Sequence, residues 1–182
     1  MYEGENPTAL KSVRWITGAL VSLMAEKDYA EISVRDICQR ADLSRQTFYN
    51  LFDSKDDVLT GYLRGEVGRV FERVSAKEGA GLADMVEAFA EVLGSNRALL
   101  ERMIEQGLEG LITEVIAEAV GMFAKRFSAD TESETLGYSV AFLSGGLARC
   151  MLYWFKQDKP LSLEELTGFL EETLTGATYR LN

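Results

Sequence analysis

The 182-residue sequence has no histidine, two cysteines and two prolines. Without histidine the chain lacks the commonest general base at neutral pH and the commonest metal-ligating side chain. Most hydrolase and metalloenzyme readings fall with it. The sequence also has no phosphate loop, no dinucleotide fingerprint and no nucleophile–base pairing. No catalytic residue, no metal ligand and no cofactor is therefore expected. Cys38 and Cys150 lie far apart on helix faces predicted to be buried. They read as inert thiols of a cytoplasmic protein, with no disulfide between them. Met1 to Pro7 is acidic and polar and does not read as a secretory signal.

Scarce proline with abundant Ala, Leu and Glu favours an all-α chain. Helical spacing of apolar residues and capping signals divide it into about nine helices. Asn6-Pro7 starts the first, whose buried stripe is Val13, Ile16, Leu20, Leu23 and Met24, ending near Lys27. Lys11 and Arg14 read as solvated surface, and Tyr29 and Ile32 pack the following loop. A long helix from Ser54 to about Ala76 spans roughly 33 Å and connects the N-terminal part to the rest. Gly79-Ala80-Gly81 ends it. Helices follow over Leu82–Val92, stopped by Gly94; from a cap at Ser95 to breaks at Gly107 and Gly110; and over Leu111–Phe127. Capping boxes at Thr131/Glu134 and Ser162/Glu165 open two more, over 131–157 and 162–178. The stretch from Thr135 to Phe155 is apolar nearly all round, with Arg149 its only charge. A central Arg costs about 2.5–3.5 kcal/mol on insertion scales, so the stretch reads as a helix buried on two sides, not a membrane span.

The part that organises the chain runs from Ser33 to Lys55. Ser33 and Asp36 form the opening cap of a helix to about Ala41, Asp42 sits at the turn, and Ser44 caps a second helix to about Phe52. Ser54 caps the next, with Asp56 and Asp57 in its positive first turn. This is a helix-turn-helix layout at 33–52. Val34, Ile37, Cys38 and Ala41 make one apolar stripe, closed by Leu43, Phe48, Leu51 and Phe52. Arg45, Gln46, Thr47, Tyr49 and Asn50 remain outside. All can hydrogen-bond and none is a carboxylate, which suits a groove in duplex DNA.

The net charge of −10 looks wrong for a DNA binder until it is resolved by region. Residues 33–55 hold four basic side chains against three acidic ones, whereas 61–182 hold 12 basic and 19 acidic. The excess acid lies mostly away from the reading helix, and with a screening length of about 8 Å at physiological salt remote acid acts weakly there. It reduces non-specific binding and leaves more of the affinity to specific contacts.

Ile32 to Cys38, then Ala41 to Phe52, then Ser54-Lys55 together resemble the signature of the tetracycline-repressor (TetR-like) family of bacterial homodimeric regulators. The resemblance covers about the first third of the chain. Asp42 departs from it, since the family usually has Gly there; the position favours a left-handed backbone, which Asp tolerates. The resemblance implies a DNA-binding domain at 1–54 and a helical regulatory and dimerisation domain at 55–182. It implies that Tyr49, Lys55 and Thr47 hold phosphates, and that Arg45, Gln46 and Asn50 face the bases, with Ser33 in the same DNA-facing set. This split agrees with the chemistry: Arg pairs with guanine and Gln or Asn with adenine, while Tyr and Lys position without reading sequence. It further implies a pocket for a small apolar effector. Met85, Phe89, Met103, Met122, Phe123, Phe142 and Tyr153 are candidate lining residues, though Met and Phe at helical spacing also suit plain core. The last two long helices match the family's dimer helices, with Ala141, Gly145, Ala148, Leu166 and Leu170 as candidate contacts. The expected function is a repressor released from its operator by that effector. The alternative is a TetR-like activator or co-regulator that works through a protein partner and has no small-molecule pocket.

Overall fold

The computed structural model describes residues 6–127 and 134–175. These residues form nine α-helices and no strand, as the composition predicts. In order they are α1 (Pro7–Met24), α2 (Val34–Ala41), α3 (Arg45–Tyr49), α4 (Lys55–Ser75), α5 (Leu82–Ser95), α6 (Arg97–Glu105), α7 (Glu109–Phe127), α8 (Glu134–Phe155) and α9 (Leu163–Leu174). A 3-10 turn, Tyr29–Glu31, joins α1 to α2. No helix among the described residues is long and apolar enough to cross a membrane. The Thr131 half of the expected capping box and the end of the last helix near 178 lie outside the described residues.

Side chains start the helices where the sequence places them. The Asn6 carboxamide accepts the Thr8 N–H at 2.9 Å, with Pro7 at the first helical position. Ser33 and Asp36 form a reciprocal capping box on α2, and Ser162 and Glu165 another on α9. Ser44 Oγ accepts the Thr47 N–H at 3.0 Å, and Ser54 Oγ accepts the Asp57 N–H at 3.1 Å. Each cap satisfies an otherwise orphaned donor and contributes about 1 kcal/mol.

Ile16, Leu20, Met24, Ile37, Phe48, Phe52, Val58 and Leu59 are all at most 2% exposed and lock α1–α3 onto the first turns of α4. The same buried cluster runs on through Met103, Ile112, Met151 and Leu170. One apolar body therefore spans the start and the end of the chain. A smaller cluster, Val70, Val74, Ala88 and Phe123, closes the far end of α4.

Of three glycines expected to stop helices, Gly94, Gly107 and Gly110, two do not. Gly94 lies inside α5, where an added Cβ would stand 2.8 Å from Leu163 Cδ2; the missing side chain lets α9 approach. α5 continues to Ser95, so Asn96 rather than Ser95 caps α6. Gly107 does end α6, with φ +74°, but Gly110 falls in the first turn of α7.

Candidate nucleic-acid interface and apolar cavity

α3 is held from behind and bare in front. Phe48 is fully buried and meets Phe52 with ring centroids 5.8 Å apart. Tyr49 stands edge-on to Phe48 at 5.4 Å, yet is 51% exposed. Arg45, Gln46 and Asn50 are exposed beside it. Among the described residues these four side chains have no hydrogen-bond partner. Their polar ends are free for an external ligand without first breaking an internal bond. Thr47 is half-buried, its hydroxyl 2.9 Å from that of Ser44. Ser33 is exposed, but its hydroxyl donates to Asp36 at 2.8 Å.

Lys55 is placed differently from a free surface lysine. Its ammonium donates to the carbonyls of Tyr29 at 2.5 Å and Ile32 at 2.9 Å, and lies 4.1 Å from the centre of the Tyr29 ring. Burial lowers its pKa. Two of three ammonium donors are used, so one remains for a phosphate.

Arg40 is committed elsewhere: it binds both oxygens of Glu26 at 2.7 and 2.8 Å. Cys38 is buried and Cys150 half-buried, both as free thiols, and burial pushes both upward in pKa. Neither is a reactive thiolate.

The second feature is an apolar cavity of about 70 Å³ between α4 and α5–α8. Leu63, Val67 and Val70 of α4 form one wall. Phe89 and Met85 of α5, Leu100 of α6, Ala119 and Phe123 of α7 and Met151 of α8 form the others. Every lining residue is aliphatic, aromatic or Met. Such a cavity excludes water and accepts apolar matter. Of the seven pocket candidates, Met85, Phe89 and Phe123 line it. Met103 is fully buried but lies outside the lining. Met122 (38% exposed), Phe142 (79%) and Tyr153 (64%) face outward, because they sit on the opposite sides of α7 and α8.

The dimer candidates divide in the same way. Ala141 and Gly145 are exposed, whereas Ala148, Leu166 and Leu170 belong to the chain's own core, the latter two on the buried side of α9, the helix against which Gly94 of α5 packs. The exposed stripe of α8 instead carries Tyr138, Phe142, Gly145, Arg149 and Tyr153, three or four residues apart.

Two linking groups had no sequence signal. Arg64 of α4 grips both oxygens of Glu118 at 2.6 and 2.8 Å and reaches Glu114 at 2.9 Å, tying α4 to α7 beside the cavity. The hydrogen bond from Arg64 holds the Glu118 carboxyl below its ordinary range. Gln106, just past α6, donates to the carbonyl of Met24 at the end of α1 and accepts the N–H of Tyr29 in the 3-10 turn. Polar side chains at helix ends are common, and only the packing shows which of them bridge.

Comparison with known proteins agrees with this arrangement. Residues 16–61 match the family model of bacterial regulatory proteins, tetR family. The HTH-type transcriptional regulator AlkX of Mycobacterium tuberculosis is 28% identical over 153 residues, covering 76% of this chain and 72% of that protein. A TetR-family regulator structure from Syntrophomonas wolfei superposes with a TM-score of 0.60 at 18% identity, covering 94% and 98% of the two chains. The TetR family repressor AlkX of Dietzia sp. strain DQ12-45-1b, implicated in biodegradation of n-alkanes, gives 0.56 at 20% identity, covering 91% and 94%. The match to the family model runs from the second half of α1 through α2 and α3 into the first turns of α4, and the likeness of fold, by itself, runs on through α9. The chain is TetR-like, a transcriptional regulator of the DNA-binding type.

Proposed function

We propose that the protein is a homodimeric repressor released from its operator by a small hydrocarbon-like effector. The observation that carries this reading is the cavity: it is wholly apolar, and one of its walls is α4, the helix that begins at Lys55. An occupant would press directly on the helix that carries α1–α3. In this reading residues 1–54 form the DNA-binding unit and 55–182 the regulatory one. Arg45, Gln46 and Asn50 read base edges, and Tyr49, Thr47 and Lys55 hold phosphates. Ser33 serves by capping α2.

The absence of any polar lining group sets the effector's chemistry. A carboxylate or hydroxyl placed in the cavity would lose its hydration without a partner, at a cost of several kcal/mol. An unsubstituted aliphatic chain incurs no such cost. That AlkX of Dietzia is implicated in biodegradation of n-alkanes supports the same ligand class. At about 70 Å³ the cavity is smaller than a medium-length alkane, so binding must move α4 against α5–α8. That movement changes the spacing of the two recognition helices, which must enter major grooves about 34–36 Å apart. Differential affinity for the two spacings is all the coupling requires.

For the dimer we infer pairing through the exposed α8 stripe of Tyr138, Phe142, Gly145 and Tyr153, with Ala141 at its edge. Two large rings at 79% exposure are unusual on an isolated surface and ordinary at an interface.

The test is selection from random duplexes, then fluorescence anisotropy on the winner with and without n-decane. A palindromic site bound by two subunits, with affinity reduced about 5–150-fold by decane, fits the proposal. Operator binding indifferent to decane and to other alkanes would remove the hydrocarbon effector, and no enriched site would remove the repressor.

A further inference from the structure

We propose that Gln106 is a positioning residue for DNA binding, fixing Lys55 at the DNA edge through Tyr29. The proposal rests on the reading of Lys55 as a phosphate contact. Gln106 follows the last residue of α6, held there as Gly107 turns the chain away with φ +74°. Its Oε1 accepts the Tyr29 N–H at 2.9 Å, and its Nε2 donates to the Met24 carbonyl at 3.0 Å. Both ends of one carboxamide thus hold the short link between α1 and the 3-10 turn, from 77 and 82 residues away.

Tyr29 is the hub of this link. It is 6% exposed, and all its polar groups are engaged. Its N–H goes to Gln106, its carbonyl receives Lys55, and its hydroxyl donates to Asp56 Oδ1 at 2.5 Å. Its ring lies under the Lys55 ammonium. A lysine on a four-carbon stem normally loses much rotamer freedom when it binds a phosphate. Here two backbone carbonyls have already fixed the ammonium, and one of them belongs to the residue that Gln106 grips. Releasing Gln106 frees Tyr29, and with it the cradle of Lys55.

The same side chain connects to the cavity. Leu100 lines it, and lies six residues before Gln106, about 9 Å along the helical rise. Met103, between them, is fully buried. α6 therefore moves as one piece, and a displacement at Leu100 arrives at Gln106.

The test uses the full chain, with Gln106→Met, which keeps the size and loses both bonds, and Gln106→Glu, which keeps the acceptor for Tyr29. Three readouts apply: amide exchange at Tyr29 in the free protein, operator affinity, and the slope of log K against log salt. In Gln106→Met, Tyr29 exchange should quicken at least about tenfold, affinity should fall about tenfold, and the slope should drop by about one per protomer. Gln106→Glu should fall between it and the parent. Lys55→Ala should lose the same slope, and combining it with Gln106→Met should lose little more. Faster Tyr29 exchange with parental affinity and slope in both Gln106 variants would make the glutamine merely structural. A parental slope in Lys55→Ala would instead overturn the phosphate reading, and the positioning role with it. Should Gln106→Met fail to fold, the Gln106→Glu slope decides.

Discussion

The N–H of Leu43 donates to the carbonyl of Cys38 at 3.0 Å, closing the end of α2 around Asp42. The Asp42 N–H returns to Gln39 at 3.4 Å, so the two bonds make a Schellman cap with Asp42 at the left-handed position, φ 54° and ψ 45°. Gly107 occupies the equivalent place at the end of α6: Leu108 bonds back to Met103 and Gly107 to Ile104. The turn of the helix-turn-helix thus carries a residue in a conformation that glycine adopts freely. Asp42→Gly should stabilise the protein by about 0.5–1 kcal/mol, and Asp42→Val should destabilise it, with parental DNA binding in the former. Urea unfolding measures both. A loss of stability in the glycine variant would mean that the Asp42 side chain supplies something the cap does not.

Arg45 is exposed and has no hydrogen-bond partner among the described residues, at the first turn of α3. If it reads a guanine, Arg45→Ala should cost about 1–3 kcal/mol on the preferred site and flatten preference at one base position. Binding to duplexes already mismatched there should change little. A uniform loss across all sequences would reassign Arg45 to a phosphate.

The α3 surface was legible in the sequence because capping, apolar spacing and polar type all change together there. Ser44, Phe48 and Tyr49 are each where spacing alone puts them. The C-terminal helices were legible as helices but not as faces. α8 is apolar nearly all round, so its pattern does not say whether Phe142 or Leu147 points inward; the structure exposes the first and buries the second. Leu166 and Leu170 form a correct amphipathic stripe, which α9 turns toward its own chain. Gln106 has no periodicity at all, since its partners are backbone groups distant in sequence.

The Asp36 carboxylate accepts from Lys27 Nζ at 2.9 Å and from the Ser33 N–H and hydroxyl at 2.9 and 2.8 Å. Lys27 first, and Ser33 after it, hold this carboxyl well below the usual carboxylate range. A depressed folded pKa adds stability above the unfolded value, about 3.9, that is lost as pH falls through the folded one. Asp36→Asn should therefore melt below the parent at pH 7, and the gap should narrow as pH falls below about 4. Thermal melts between pH 7 and pH 2.5 follow it. A gap of constant size would assign the loss to the cap geometry and not to the charge.

Ala119 of α7 faces the cavity. Ala119→Leu should fill it and leave the fold intact. Decane at a hundredfold excess over its Kd should stabilise the parent by about 2.7 kcal/mol, and the filled variant should lose that rise. Operator binding by the variant without decane should stay parental. An undiminished rise would place the decane elsewhere, with the long open groove between α1 and α4 as the next place to look.

The exposed α8 stripe makes the sharpest prediction about assembly. Phe142 is 79% exposed and lies on one side of α8 with Tyr138 and Tyr153, while Ala148 on the other side is packed within the chain. If this stripe is the pairing surface, Phe142→Glu places a charge from each subunit near its symmetry mate, where both lose water. Sedimentation equilibrium should then show monomers at concentrations where the parent is a dimer. The monomer's own core does not include Phe142, so its helical content should hold. Operator affinity should fall far more than in Arg45→Ala, because a half-site bound by one head lacks the second head's contribution. Leu166→Glu would unfold the chain instead, since Leu166 is 3% exposed within the protomer. A dimer unaffected by Phe142→Glu would move the interface off this side of α8.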